Sequence, residues 1–190
     1  MPLGSTRLFT FPRLLVAAVL LAGSAHVLAD DYAEVKQLMQ SRQPAEALSR
    51  ADQYLAAKPR DPQMRFLRGV ILSETGRTVE AIEVFTRLTE DFPELPEPYN
   101  NLAVLYAQQN QLQQARAALE MAIRNNPSYA TAHENLGDIQ LRLAVQSYER
   151  AAQLAPGNAA LAPKLARTRE LLAPAAPPPA RPAAPAGKAR

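Results

Sequence analysis

The chain has 190 residues and a formal net charge of +3, with 47% hydrophobic residues and no cysteine. Its positive charge belongs to the ends, because all 18 acidic residues lie between residues 30 and 172, where acidic groups slightly outnumber basic ones. That part of the chain has no concentrated basic stretch of the kind that phosphate backbones require, so we expect no nucleic-acid partner. Because it has no cysteine, this sequence cannot form disulfide bonds.

The first 29 residues have the pattern of a secretory signal peptide. Arg7 and Arg13 precede an apolar run over 14–21. Val27 and Ala29 suit signal peptidase as the third-last and last residues before the cleavage point. An uncleaved anchor is the alternative, but the apolar stretch is shorter than the roughly 20 residues that span a bilayer. We therefore predict cleavage after Ala29, a periplasmic protein of a bacterial envelope, and no stable membrane insertion after cleavage.

Proline and alanine recur at a fixed spacing through the next hundred residues. Three prolines lie 34 residues apart, and an alanine precedes each by twelve residues: Ala47 and Pro59, Ala81 and Pro93, Ala115 and Pro127. A period of this length is typical of stacked helical hairpins. Apolar periodicity and helix-breaking residues predict helices over 31–41, 44–57, 62–75, 78–91, 96–109 and 112–125.

One unit carries most of the repeat's pattern of small and aromatic residues. It is numbered from Pro96, and its positions 4, 7, 8, 11, 20, 27 and 32 hold Tyr99, Leu102, Ala103, Tyr106, Ala115, Ala122 and Pro127. This pattern closely resembles the tetratricopeptide repeat. The resemblance implies an all-α fold, a short right-handed superhelix of antiparallel helix pairs, with units at about 28–61 (a weak copy), 62–95, 96–129 and 130–158.

In this family, small residues let the two helices of a unit approach each other. We expect Gly69 to lie against Ala81 in the unit that begins at Pro62, and a helix crossing to explain Gly137 at the same position of the last unit. Gly76 and Asn110 occupy position 15 of their units, where a residue in the left-handed conformation ends the first helix.

The last unit is five residues short. Ala144 and Pro156 keep the twelve-residue offset, but Pro156 follows Pro127 by 29 residues. No Gly, Pro or Asn occurs between Asp138 and Ala155, so we predict one continuous helix over 130–154.

The far half of that helix needs a cover for its apolar stripe, which comprises Leu141, Ala144, Tyr148, Ala151 and Ala155. A capping helix within 158–172 could fold back on it. A second copy of the chain could instead supply the cover and form a homodimer. The alanine- and proline-rich basic tail over 173–190 is predicted to be disordered, or to dock on a partner.

No constellation for catalysis, metal or cofactor binding is visible in the mature sequence. Its single histidine, His133, occupies position 4 of its unit, where an aromatic ring usually packs, so we expect it in the core or half-buried rather than acting as a base. We therefore expect no enzyme activity and no cofactor.

The resemblance places a binding groove on the first helices of the units. The groove residues are Phe66, Val70, Glu97, Asn100, Val104, Glu134, Asp138 and Leu141. None of the predicted groove positions is basic, so a clamp for a C-terminal carboxylate is not expected. We predict a non-enzymatic adaptor that binds an amphipathic helix or an extended peptide, with Asn100 able to bond the peptide main chain in both directions. A self-associating structural protein and a chaperone for exported proteins are the alternatives, and the groove could also be a solvated face or be filled by the chain's own tail.

Overall fold

The structure is a computed structural model, and it describes residues 31–173. All regular secondary structure in this range is helical, which confirms the predicted fold class. The helices are α1 (31–40), α2 (Pro44–Ala57), α3 (Pro62–Glu74), α4 (Thr78–Asp91), α5 (Pro96–Gln108), α6 (Leu112–Asn125), α7 (Ala130–Leu154) and α8 (Leu161–Leu172). The predicted signal peptide and the tail after Ala173 lie outside the described residues.

Proline and capping residues fix where the helices begin. Pro44, Pro62 and Pro96 occupy the first turns of α2, α3 and α5, where a missing backbone N–H costs nothing. Asp61 caps α3, because its Oδ1 accepts a hydrogen bond of 2.8 Å from the backbone N–H of Met64.

Left-handed residues end the first helix of each of the first three units. Gly76 has a φ of 74° and Asn110 a φ of 58°, as predicted. Arg42 takes the same place in the first unit with a φ of 58°. This conformation is natural for glycine and tolerable for asparagine, but it is strained for arginine.

The helices stack in chain order. Each helix from α2 to α8 packs against its neighbours in sequence, and α5 also touches α3 and α7. The second helices of successive units, α4 and α6, make no such contact with each other. The first helices therefore line the inner, concave side of the superhelix, and the second helices lie outside.

The core runs between the helix layers as two adjoining clusters. The larger extends from Leu72 to Ile139 and includes the buried Phe85, Leu88 and Leu119. A Cβ built at Gly69 would lie 2.7 Å from the Phe85 ring, so this ring is the nearest neighbour of the glycine. A large side chain of the second helix therefore packs directly on this glycine.

The predicted fusion in the last unit is confirmed. Helix α7 is continuous over 25 residues, Ala130–Leu154, and α8 packs against it. Of residues 140–173, only Thr168 is buried. The second half of α7 and α8 thus form a two-helix arm, the α7–α8 arm, that lacks a third layer.

Gly137 shows what the fusion removes. It holds the same repeat position as Gly69, and we expected a crossing helix to explain it. A Cβ at Gly137 would meet nothing within 4 Å. The helix that would have crossed there instead continues α7, so the expectation was wrong. Within residues 31–173, no helix has the length and apolar character needed to cross a membrane.

Candidate peptide-binding groove

The concave face, formed by the inner sides of α3, α5 and α7, contains two depressions. The larger, which we call the C-terminal cavity, has a volume of about 650 Å³. Among the predicted groove residues, Val104 of α5 and Asp138 of α7 line it. Val104 is 38% exposed, so part of its apolar side chain is open to a ligand. This cavity can therefore offer both apolar contact and a carboxylate.

The second depression, the N-terminal hollow, lies between α3 and the start of α5. Its volume is about 390 Å³, and it is lined by Lys36, Pro62, Gln63, Phe66, Leu67, Leu95, Glu97 and Pro98. Phe66 lies half-buried on its floor because its ring packs on Phe85, with centroids 5.6 Å apart. The hollow is mostly apolar, with Glu97 and Lys36 as its charged groups.

Asn100 lies on α5 between these depressions and is already engaged. It is 7% exposed, and its Oδ1 accepts a hydrogen bond of 2.8 Å from Asn135 Nδ2 of α7. We expected Asn100 to bond a peptide main chain in both directions. Its acceptor instead ties α5 to α7, so the amide N–H groups are what Asn100 retains for a ligand.

The remaining predicted groove residues line neither of these depressions. Val70 and Leu141 are half-buried, and Glu134 is exposed. The structure thus brings Val104 together with Asp138 and Phe66 together with Glu97, one pair at each end of α5.

Sequence reasoning missed several residues of the C-terminal cavity. Arg142 follows the last predicted groove position of α7 and lines the cavity; its guanidinium donates to the carbonyl oxygen of Ala107 at 3.0 Å. That carbonyl belongs to the last turn of α5, where a cation is favoured by the helix dipole. Arg142 therefore has a structural partner within the groove wall.

The end of α8 was also missed. Leu171, Leu172 and Ala173 line the same cavity as Val104 and Asp138. The antiparallel return of α8 along α7 could have suggested this, because such a helix ends beside the middle of its partner. The concave face is thus bordered at one end by the last described residues of the chain.

Glu97 places a negative charge close to Tyr129, which precedes α7. Burial, and then the charge of Glu97, raise the pKa of the Tyr129 phenol above its ordinary value. The carboxylate of Glu97 is therefore close enough to Tyr129 to disfavour a second negative charge. Glu134 and Asp138 add two further carboxylates along α7.

His133 departs from its expected position. The ring is exposed rather than packed, and its Nε2–H donates to the carbonyl oxygen of Pro127 at 3.0 Å. Tyr99, at the same repeat position, packs on the core instead. The polar imidazole finds a backbone acceptor in the turn between units, which draws it out of the interface. Residues 31–173 hold no group of three or more His, Asp or Glu side chains that could bind a metal ion.

The chain is similar to known proteins both in sequence and in structure. The tetratricopeptide repeat family matches residues 32–96 and residues 72–137. A chloroplastic tetratricopeptide repeat domain-containing protein of Arabidopsis thaliana, PYG7, is 36% identical over 84 residues, which are 42% of this chain and 26% of the relative.

Two solved structures illustrate the likeness of the folds. YrrB, described as a tetratricopeptide repeat protein with an unusual peptide-binding site, superposes with a TM-score of 0.52 and 27% identity, covering 55% of this chain and 54% of YrrB. The Yersinia enterocolitica secretion chaperone SycD, in complex with a YopD peptide, gives 0.56 and 16% identity over 62% of this chain and 95% of SycD. The chain spans about half of YrrB and about a quarter of PYG7. Residues 32–137 of this chain belong to the tetratricopeptide repeat family.

Proposed function

We propose that this protein is a non-enzymatic adaptor that binds a peptide segment of a protein partner on its concave face, in a bacterial cell envelope. The observation that carries the proposal is the exposed Val104 beside Asp138 in a cavity of about 650 Å³. Apolar contact with flanking polar groups is the usual composition of a peptide groove. YrrB, whose description includes a peptide-binding site, supports the same use of the fold.

The ligand we propose is an extended or helical segment with positive charge. Glu97, Glu134 and Asp138 give the groove three carboxylates, whereas Arg142 is tied to the end of α5 and Lys36 is the other cation that lines a depression. Opposite charges across an interface increase the association rate and exclude acidic competitors.

Replacing Val104 tests this function with little risk to the fold, because its side chain is partly exposed. Val104→Glu should abolish recovery of the partner, which is identified by crosslinking in cells and mass spectrometry. Val79→Glu is the matched control, since Val79 is 67% exposed at the start of α4, on the outer layer. Unchanged recovery with Val104→Glu would place the binding surface elsewhere.

The envelope location is tested separately. We expect the protein in the periplasmic fraction, with a mature N-terminus at Asp30. An intact N-terminus in the membrane fraction would instead indicate a retained anchor.

Self-association is the second candidate, and the α7–α8 arm favours it. Leu154 is 69% exposed at the end of α7, and the arm has no third layer. Light scattering at micromolar concentration separates the two functions, because an adaptor of this kind is monomeric and a self-associating protein is dimeric.

A further inference from the structure

The last described residues of the chain lie at its own candidate binding site. Leu172 and Ala173 line the C-terminal cavity together with Val104 and Asp138. The 17 residues that follow, 174–190, therefore start at the groove and need no path around the molecule to enter it.

Those residues are long enough to cover the concave face. In the extended conformation that proline favours, at about 3.1 Å per residue, they reach roughly 50 Å. Val104 and Glu97 are seven residues apart on α5, which is about 10 Å along a helix axis. The segment can thus pass from the C-terminal cavity to the N-terminal hollow with residues to spare.

The chemistry of the segment matches that of the groove. It contains Arg181, Lys188 and Arg190 and no acidic residue. The groove holds three carboxylates, Glu97, Glu134 and Asp138, against two cations, Lys36 and Arg142, of which Arg142 is tied to α5. The prolines of the segment are suited to the mostly apolar N-terminal hollow, where Phe66 offers an aromatic surface. Proline-rich chains bind such surfaces with a small loss of conformational entropy.

We propose that residues 174–190 bind in the concave groove of the same chain, from the C-terminal cavity to the N-terminal hollow, and compete there with the partner. The proposal rests on the proposed function in that both use one groove. Binding within one chain is favoured over exchange between chains, because a short tether gives an effective concentration in the millimolar range. The partner must then displace a basic, proline-rich segment, and the groove is selective for ligands that can do so.

Disulfide trapping in the full chain tests this, since the absence of cysteine gives a clean background. The test pair is Gln63→Cys with Ala186→Cys, because Gln63 is exposed and lines the N-terminal hollow. The control pair is Glu120→Cys with Ala186→Cys. Glu120 is exposed on α6 and directly follows Leu119, which lines the C-terminal cavity where the segment begins.

A bound segment and a merely tethered one give opposite results. Binding predicts that the Gln63 pair closes within one chain about tenfold faster than the Glu120 pair, because the segment is held over the hollow. It also predicts that changing Arg181, Lys188 and Arg190 to Glu removes this advantage. Equal rates, a faster Glu120 pair, insensitivity to the charge changes, or a disulfide-linked dimer as the main product would each overturn the proposal.

The result is independent of the partner experiment. If trapping fails while Val104→Glu still abolishes recovery, the groove binds a partner and the segment lies elsewhere. If trapping succeeds while recovery is unaffected, the groove belongs to the segment and the proposed function is wrong.

Discussion

Gly69 and Gly137 hold the same position in two units but meet different surroundings. At Gly69 a Cβ would lie 2.7 Å from the Phe85 ring, whereas at Gly137 it would meet nothing within 4 Å. We expect Gly69→Ala to destabilise the fold by about 1–3 kcal/mol through overpacking. Gly137→Ala should stabilise it by about 0.5–1 kcal/mol, because alanine favours a helix interior.

Urea unfolding followed by circular dichroism checks this pair, each variant serving as the control for the other. Destabilisation of similar size at both sites would show that a helix crosses α7 at Gly137 after all.

Arg42 is the strained member of the three left-handed residues. Its φ of 58° costs an L-residue roughly 1–2 kcal/mol that glycine avoids. Arg42→Gly should therefore raise the free energy of unfolding by up to about 1 kcal/mol, after the greater freedom of glycine in the unfolded chain is subtracted. Gly76→Ala, at the equivalent position with a φ of 74°, should lower it. A loss of stability in Arg42→Gly would mean that this turn is not left-handed.

Tyr32 joins α1 to the start of α3. Its hydroxyl donates to Asp61 Oδ2 at 2.6 Å, and Tyr54 donates to the same oxygen at 3.2 Å. Burial, followed by the hydrogen bonds with Asp61 and Tyr54, raises the pKa of Tyr32 above its ordinary value. Folding thus favours the protonated phenol, and this contribution is complete below about pH 10 and is lost as the pH rises further.

Tyr32→Phe should therefore cost about 1 kcal/mol at pH 7, where the phenol donates its hydrogen bond. The difference in Tm between the wild type and this variant should shrink above pH 10. A difference that stays constant through pH 11 would contradict the assigned role of the phenol.

Among the elements, α8 is the cover that the fused helix α7 requires. Leu161, Leu165, Thr168 and Leu172 are the least exposed residues of α8. Their spacing of three and four puts them on one face, which packs on α7. Arg169 and Glu149 form an ion pair of 2.6 Å across the pair, but both are well exposed, so apolar contact carries the pairing.

Leu165→Asp should detach α8 and leave the earlier units intact, because repeat arrays are stabilised by contacts between neighbours. Hydrogen exchange should then accelerate over 143–154 and stay unchanged in α3 to α6. Arg167→Asp, at an exposed position of α8, is the control. Exchange that accelerates throughout the chain would show one cooperative unit instead.

Most of the fold could be predicted from the sequence because the residues that begin and end the helices are local signals. Proline at the first turns and left-handed residues at the last ones fix the helices up to α6 to within one residue. The fusion of α7 followed from five missing residues. The neighbour of Gly69 could not be predicted, because the repeat pattern says which residues are small and not which large ring approaches them.

The groove residues could be predicted only where the position in the repeat determines which residues lie on the inner helices. Val104, Asp138, Phe66 and Glu97 line the depressions because their positions fall on the inner helices. The bond between Asn135 and Asn100 spans 35 residues, and no local pattern indicates it. The end of α8 lines the cavity because α8 runs back along α7, and the sequence does not predict the path of this arm.

At the scale of the whole molecule, the groups that could bind a ligand are gathered on the concave face. The inner helices present exposed Val104 and three carboxylates, and the chain ends its described part beside them. Of the outer helices, α6 contributes the buried Leu119 to the cavity wall. The two proposals, binding of a partner and binding of the chain's own basic segment, therefore concern the same surface.

Site-specific photocrosslinking in cells tests most directly whether this surface binds a protein partner. A photoreactive residue at position 104 should give a discrete adduct with a second protein, and one at position 79, on the outer layer, should give none. Adducts at position 79 alone, or equally at both positions, would contradict the account.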